Sequence, residues 1–205
     1  MNSLKLICLN TCGLINKELK VINIIKDFDL ACIIEARWPV NKSERENLIK
    51  RIETATGKRL FISKPINKNT MVIAYPPHMM ENKEMEKPVE ISPGRIQKVK
   101  LKGRDFQYNV FLVHAPNASG DKAEILAFFT LLHKTAQNHE NSIMCGDFNY
   151  VYDLTTMSTS TAVQNQSHHY RVHKMLDINL KFNRFWRDVH LYHEENSTTH
   201  PRQWT

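Results

Sequence analysis

Short apolar runs alternate with helix-period segments along most of the chain, and several runs end on polar residues. Leu4-Lys5-Leu6-Ile7-Cys8-Leu9 reads as a buried strand closed by the turn Asn10-Thr11-Cys12-Gly13. From Lys17 to Asp27 the apolar positions Leu19, Val21, Ile22 and Ile25 recur at helical spacing. Leu30-Ala31-Cys32-Ile33-Ile34 is a second short strand, and it runs straight into the carboxylate of Glu35. Ser43, with Glu46 three residues on, predicts a capping box that opens a helix to Thr54, and Gly57 stops it. Strands follow at Arg59–Ser63 and Thr70–Tyr75, closed by Pro65 and by Pro76-Pro77. The Glu-, Lys- and Met-rich stretch from His78 to Pro93 reads as a surface excursion. Arg95–Leu101 alternates with period two, the mark of a half-buried strand. Phe106–Val113 predicts a further strand leading into His114-Ala115-Pro116-Asn117. Asp121–Gln137 carries Ile125, Phe128, Phe129 and Leu132 on one face of a helix. Ser142–Cys145 is a strand that runs directly into Gly146-Asp147-Phe148-Asn149. A polar loop from Leu154 to Gln166 and a helix from His168 to Leu180 are expected after it.

Helices alternate with strands, yet several strands follow one another as hairpins. This predicts a layered α/β domain with mixed sheets and not a purely parallel, doubly wound one. A chain of 205 residues, 41% hydrophobic and 24% charged, is long enough for one domain with a substantial core and too short for two. There is no internal repeat, no low-complexity run and no apolar segment of membrane-spanning length. Lys and Arg number 28 against 21 Asp and Glu, a net charge of +7. That balance suits a polyanionic partner, because neutralised phosphates release condensed counterions; it suits an ordinary soluble surface as well. Cys8, Cys32 and Cys145 lie in apolar stretches and read as buried thiols. With no CxxC pair, neither a zinc ribbon nor a thioredoxin-type site is indicated. The absence of a signal peptide and of a disulfide pattern leads to the expectation of an intracellular protein, nuclear or cytoplasmic and not secreted.

Three strand ends carry the chemistry: Leu9-Asn10, Ile34-Glu35 and Cys145-Gly146-Asp147-Phe148-Asn149. Taken singly, each has a plain reading. Asn10 is an ordinary turn residue, Glu35 is a strand-end carboxylate able to pair with Arg37, and Gly-Asp-Phe-Asn is a tight turn. Taken together, and if their strands lie side by side and parallel, they bring an amide and two carboxylates to one rim, where ligands of open α/β sheets collect. Hard oxygen donors of this kind suit Mg²⁺, which takes few protein carboxylates and keeps waters or substrate phosphates.

These same segments resemble the motifs of the endonuclease/exonuclease/phosphatase superfamily, in the family's order. "LICLNTCGL" (Leu6 to Leu14) resembles its first motif and "DLACIIEAR" (Asp29 to Arg37) its second. "SPGRIQKVKL" (Ser92 to Leu101) resembles the strand that begins Gly-Arg. "VFLVHAPN" (Val110 to Asn117) resembles the strand ending in Tyr-Ala-Pro-Asn. "IMCGDFN" (Ile143 to Asn149) matches the Gly-Asp-Phe-Asn motif, the most specific of the five. The resemblance implies a four-layer α/β sandwich of two mixed β-sheets flanked by helices, as a single domain over residues 1–205. It implies Mg²⁺-dependent (or Mn²⁺-dependent) phosphodiester hydrolysis. Glu35 would hold the metal with Asn10 close to it. Asp147 would orient or deprotonate the attacking water, and Asn149 would position it or contact phosphate. His114 would join the catalytic set in place of the family's Tyr, with Arg37 and Asn117 toward the substrate.

Among the family's branches, the apurinic-type endonuclease domain of LINE-type, non-LTR retrotransposons is the nearest in pattern. Phe185-Trp186-Arg187-Asp188 resembles that class's Asp-Val-Trp-Arg stretch, the chain begins almost at the first motif, and the basic charge suits a DNA backbone. Apurinic-repair members carry Asp where Cys12 stands, and the usual Gly-Gly is replaced near Asn69-Thr70. The partners implied are DNA and, in a full-length parent polyprotein, a reverse transcriptase domain; no membrane is involved. "HLYHEENSTTHPRQWT" resembles the stretch before a Thr-Trp strand, and the family's closing Ser-Asp-His does not follow. The domain is therefore expected to be incomplete at its C-terminus, with little or no turnover. Two other classes share the pattern: a small-molecule or lipid phosphoesterase of the same superfamily, and a non-catalytic remnant. His169 with His173, and His190 with His193, have spacings that could serve a metal, but with no third ligand they read as solvated or phosphate-facing.

Overall fold

The computed structural model describes residues 4–64, 70–103, 107–117, 120–137, 139 and 141–149. The helix expected at His168–Leu180, the loop before it, the histidine pairs and Phe185–Asp188 lie outside the described residues. The described residues up to Gly120, with His139 and residues 141–149, form one compact unit; residues 121–137 belong to a second.

The first unit holds two four-stranded mixed sheets. One has the order β1-β2-β4-β3, built from β1 (Leu6–Asn10), β2 (Leu30–Ile34), β3 (Arg59–Ile62) and β4 (Val72–Tyr75). The other has the order β5-β6-β7-β8, from β5 (Val89–Ser92), β6 (Ile96–Lys102), β7 (Gln107–His114) and β8 (Ser142–Asp147). Each combines antiparallel hairpins with one parallel pair, β1 with β2 and β7 with β8. A parallel pair needs a crossover connection, and the helix-period segments fall in those two connections of the sequence.

Strand β2 is buried on both faces, which explains its unbroken apolar run. Ala31 and Ile33 pack with Val72 and Ala74 under helices α1 (Glu18–Ile25) and α2 (Lys42–Thr56), through Val21, Ile22, Ile25, Leu48 and Ile52. The opposite face, Leu30, Cys32 and Ile34, packs with Met71 and Ile73 against Val99, Leu101, Val110 and Leu112 of the second sheet. The two sheets are thus face to face, each buried aliphatic side chain contributing about 1.5–3 kcal/mol. Cys8, Cys32 and Cys145 lie in or against this central layer. Hydrogen bonding to Cys145, with burial, pushes the Cys8 and Cys32 thiols well above their ordinary value.

Two local expectations change. Helix α2 is capped by Asn41 and not by Ser43: the chain turns helical at Lys42, and the Asn41 side-chain Oδ1 accepts from the N–H groups of Ser43 (2.9 Å) and Glu44 (3.2 Å). Asn is as good a cap as Ser, so the earlier of two competent residues takes the position. Gly57 does end the helix, in the left-handed conformation (φ 67°). The stretch from His78 to Pro93 is more than a surface excursion. A short helix α3 (Pro77–Glu81) buries Met79, Met85 is buried beside Leu101, and β5 forms an edge strand on β6. The unbranched methionines fit the gap at that end of the central layer.

In the second unit, α4 (Lys122–Ala136) is capped by Asp121, whose carboxylate accepts from the Ala123 N–H at 2.9 Å. Phe128 and Phe129 meet edge to face, with ring centroids 5.2 Å apart. Among the described residues no helix is long and apolar enough to cross a membrane.

Candidate functional site

The strand ends converge, though by a different route from the one the sequence suggests. β1 and β2 are parallel neighbours, but β8 belongs to the facing sheet. The meeting takes place across the sandwich, at the rim where β1 and β2 approach β8. Asn10, the last residue of β1, lies between the two carboxylates. Its side-chain Nδ2 donates to Glu35 Oε1 at 3.2 Å and to Asp147 Oδ2 at 3.0 Å. The carboxylate oxygens are therefore no further apart than two hydrogen bonds allow.

Each member is held by its own surroundings. Asn10 Oδ1 accepts from the Cys12 N–H at 3.0 Å and from the Cys12 thiol at 3.4 Å, which turns the amide N–H toward the carboxylates. Glu35 stands one residue past β2 with a left-handed backbone (φ 52°). Its Oε2 receives Arg37 Nη2 at 2.7 Å. Partial desolvation pushes the Glu35 carboxyl up; hydrogen bonds from Arg37 and Asn10, with the charges of His114 and Arg37, outweigh that and hold it below the ordinary range. Asp147 ends β8 directly opposite His114 of β7, and its backbone carbonyl accepts from the Ala115 N–H at 2.8 Å. Its Oδ1 accepts from the Asn149 N–H at 2.9 Å.

His114 is buried, with Nε2 at 3.8 Å from Glu35 Oε1 and Nδ1 without a hydrogen-bond partner. Burial and the charge of Arg95 push its pKa down, against the opposing pull of Glu35, Asp147 and the Gly94 backbone. The net effect favours the uncharged ring. The side-chain amide of Asn149 donates to the Ala115 carbonyl at 2.7 Å, so its nitrogen is spent on the backbone of β7's exit. Arg37 is half exposed at the mouth. Asn117 is exposed three residues past the end of β7 and takes no part in these hydrogen bonds.

Two participants were not among the expected site residues. Arg95 Nη1 donates to the carbonyls of His114 (3.4 Å) and Ala115 (3.2 Å), fixing the chain just where β7 leaves the sheet. The Gly94-Arg95 pair ahead of β6 was visible as part of a motif, but nothing in one strand tells what a neighbouring strand's exit needs. Thr11 is buried within the Asn10 turn and donates to backbone carbonyls beside Glu35.

Among the described residues no three His, Cys, Asp or Glu side chains form a ready metal cage. Two carboxylates with an amide between them are nevertheless the donor chemistry that suits Mg²⁺, which completes its octahedron with water or phosphate oxygens. Asn10 presents N–H to the cluster, so direct ligation by its oxygen would require the amide to turn over.

No family model matches the chain, and no curated protein sequence matches it either. Solved structures do. An AP endonuclease from Archaeoglobus fulgidus superposes with a TM-score of 0.60 at 16% identity, over 96% of this chain and 80% of that one. AP endonuclease LMAP from Leishmania major gives 0.58 at 13%, over 85% and 66%. TDP2 from C. elegans gives 0.53 at 15%, over 72% of this chain and 48% of that one, about half its length. At such identities the likeness is one of fold: the chain has the two-sheet α/β fold of these AP endonucleases, the fold expected from the resemblance of its motifs.

Proposed function

We propose that this rim is the active site of a divalent-metal-dependent phosphodiesterase, an endonuclease that nicks DNA in the manner of retrotransposon endonuclease domains. The observation that carries the reading is the Asn10 amide bridging Glu35 and Asp147, residues distant in sequence and delivered by opposite sheets. The Gly-Asp-Phe-Asn motif, the fold and the net charge of +7 support it.

Glu35, whose ionised form Arg37 and Asn10 favour, would hold the Mg²⁺ or Mn²⁺. Bound there, the ion supplies Lewis-acid stabilisation of charge on the phosphate oxygens. Asp147, oriented by the Asn149 and Asn10 N–H groups, takes the proton of the attacking water. Neutral His114 donates a ring N–H to a phosphate oxygen. Arg37 at the mouth, with Asn117, receives the flanking backbone; a guanidinium matches phosphate in charge and shape.

Supercoiled plasmid with Mg²⁺ tests this. The decisive readout is dependence on the ion: open circles form with Mg²⁺, vanish with chelator, and fall steeply with added salt. Equal nicking in chelator overturns the reading. Hydrolysis of a small phosphodiester, with no salt dependence and no nicking, moves the site to the small-molecule class.

A further inference from the structure

We infer that Thr11 is a positioning residue for Glu35, setting the backbone from which that carboxylate reaches the rim. The inference rests on the reading of Glu35 as the metal-holding residue. Glu35 is the first residue past β2 and adopts a left-handed conformation that a non-glycine residue avoids unless its surroundings impose it. The donors that impose it come largely from one turn. Thr11 Oγ1 lies 3.2 Å from the Ile34 carbonyl oxygen and 3.2 Å from that of Glu35. The Thr11 N–H donates to Ile34 at 3.1 Å, and the Gly13 N–H donates to Glu35 at 2.7 Å. On the far side, the Ala36 N–H donates to the Thr70 carbonyl at 3.0 Å.

The turn begins with Asn10, whose amide holds the Glu35 side chain. Residues 10–13 therefore grip Glu35 at both ends, its carboxylate through Asn10 and its carbonyl through Thr11 and Gly13. Thr11 is 6% exposed, so water is a poor replacement donor. Without the hydroxyl, the 34–35 peptides lose a donor in a buried place. The Thr11 and Gly13 N–H groups still hold the two carbonyls, but the clamp is weakened, and any relaxation toward negative φ carries the carboxylate away from Asp147.

Mn²⁺ affinity, read by calorimetry and by the electron-spin signal of the bound ion, distinguishes the outcomes, with thermal unfolding measured alongside. Glu35→Gln is expected to lose the ion. Thr11→Val, which keeps the shape and removes the donor, is expected to bind about 10–100-fold more weakly, the usual scale for a group that orients a ligand. Thr11→Ser keeps the donor and is expected to bind close to wild type. Should Thr11→Val not fold, Thr11→Cys, a weak donor, is expected to bind more weakly than Thr11→Ser. Wild-type affinity in Thr11→Val or Thr11→Cys, or no rescue in Thr11→Ser, overturns the role of Thr11 and leaves Glu35's standing. Wild-type affinity in Glu35→Gln overturns both.

Discussion

On the β1–β2 side of the rim the carboxylate residue itself carries the awkward backbone: Glu35 is left-handed at φ 52°, one residue beyond its strand. On the β7–β8 side Asp147 is still in the ladder, registered against His114, and positive φ falls on its neighbours, Gly146 before it at φ 150° and Asn149 after it at φ 47°. One carboxylate is placed by a turn that clamps it, the other by strand register. A left-handed non-glycine residue costs about 1–2 kcal/mol, which the donors of residues 11–13 must offset. The glycine at the corresponding bend of β8 carries little such cost. The first sheet thus keeps strain on the carboxylate residue itself, and the second leaves its carboxylate residue in regular strand geometry with positive φ on either side of it.

The largest effect that would sharpen this comparison belongs to Asp147. Asp147→Ala should lower metal-dependent nicking by about 10²–10⁴-fold, with a small change in thermal stability because its ladder bonds are made by the backbone. Unchanged nicking would detach Asp147 from the chemistry. Gly146→Ala should come next, and should act on folding. A Cβ there would overlap the Val113 carbonyl oxygen in the partner strand, so a loss of about 3 kcal/mol in denaturant unfolding is expected. Stability equal to wild type would show that the ladder does not fix this rim.

Glu35→Gly should behave in the opposite way. It loses the bonds to Arg37 and Asn10 but relieves the left-handed strain, so net stability should change by less than about 1 kcal/mol. A much larger loss would mean that the conformation at Glu35 is not strained. The smallest effect concerns pH. The folded pKa of His114 is lowered, so the unfolded chain takes up its proton first. The stability this group contributes is present above the unfolded pKa, about 6.5, and is lost as pH falls from there toward the folded value. His114→Gln should flatten that part of the stability profile. His139, also lowered by burial and by Lys98 and Lys100, should leave a residual slope. An unchanged slope would locate the acid sensitivity elsewhere.

Much of this was legible in one dimension. β1, β2, β6, β7 and β8 announce themselves by unbroken or alternating apolar runs. Asn10, Glu35 and Asp147 announce themselves by ending such runs on a group that a core strand does not need. The capping of α2 was legible only to within two residues, because Asn41 and Ser43 are both competent and which one is used depends on where the helix starts. Met79 and Met85 were hidden by the Glu and Lys around them, since nothing local shows that a charged stretch closes the end of a two-sheet core. Arg95 and Thr11 were missed for a related reason. Both act on carbonyls of strands other than their own, and every residue has a carbonyl.

The sequence by itself determined most of the described elements, though not α3 and β5, and the order in which the strand-end carboxylates and amides occur. Periodicity and residue type are properties of the chain and survive without coordinates. Only the tertiary structure decided that β8 lies in the facing sheet, that Asn10 turns its N–H and not its oxygen to Glu35 and Asp147, and that burial lowers the His114 pKa. Those outcomes depend on distances between segments and on exclusion of water, which no stretch of sequence specifies until the two sheets close on each other.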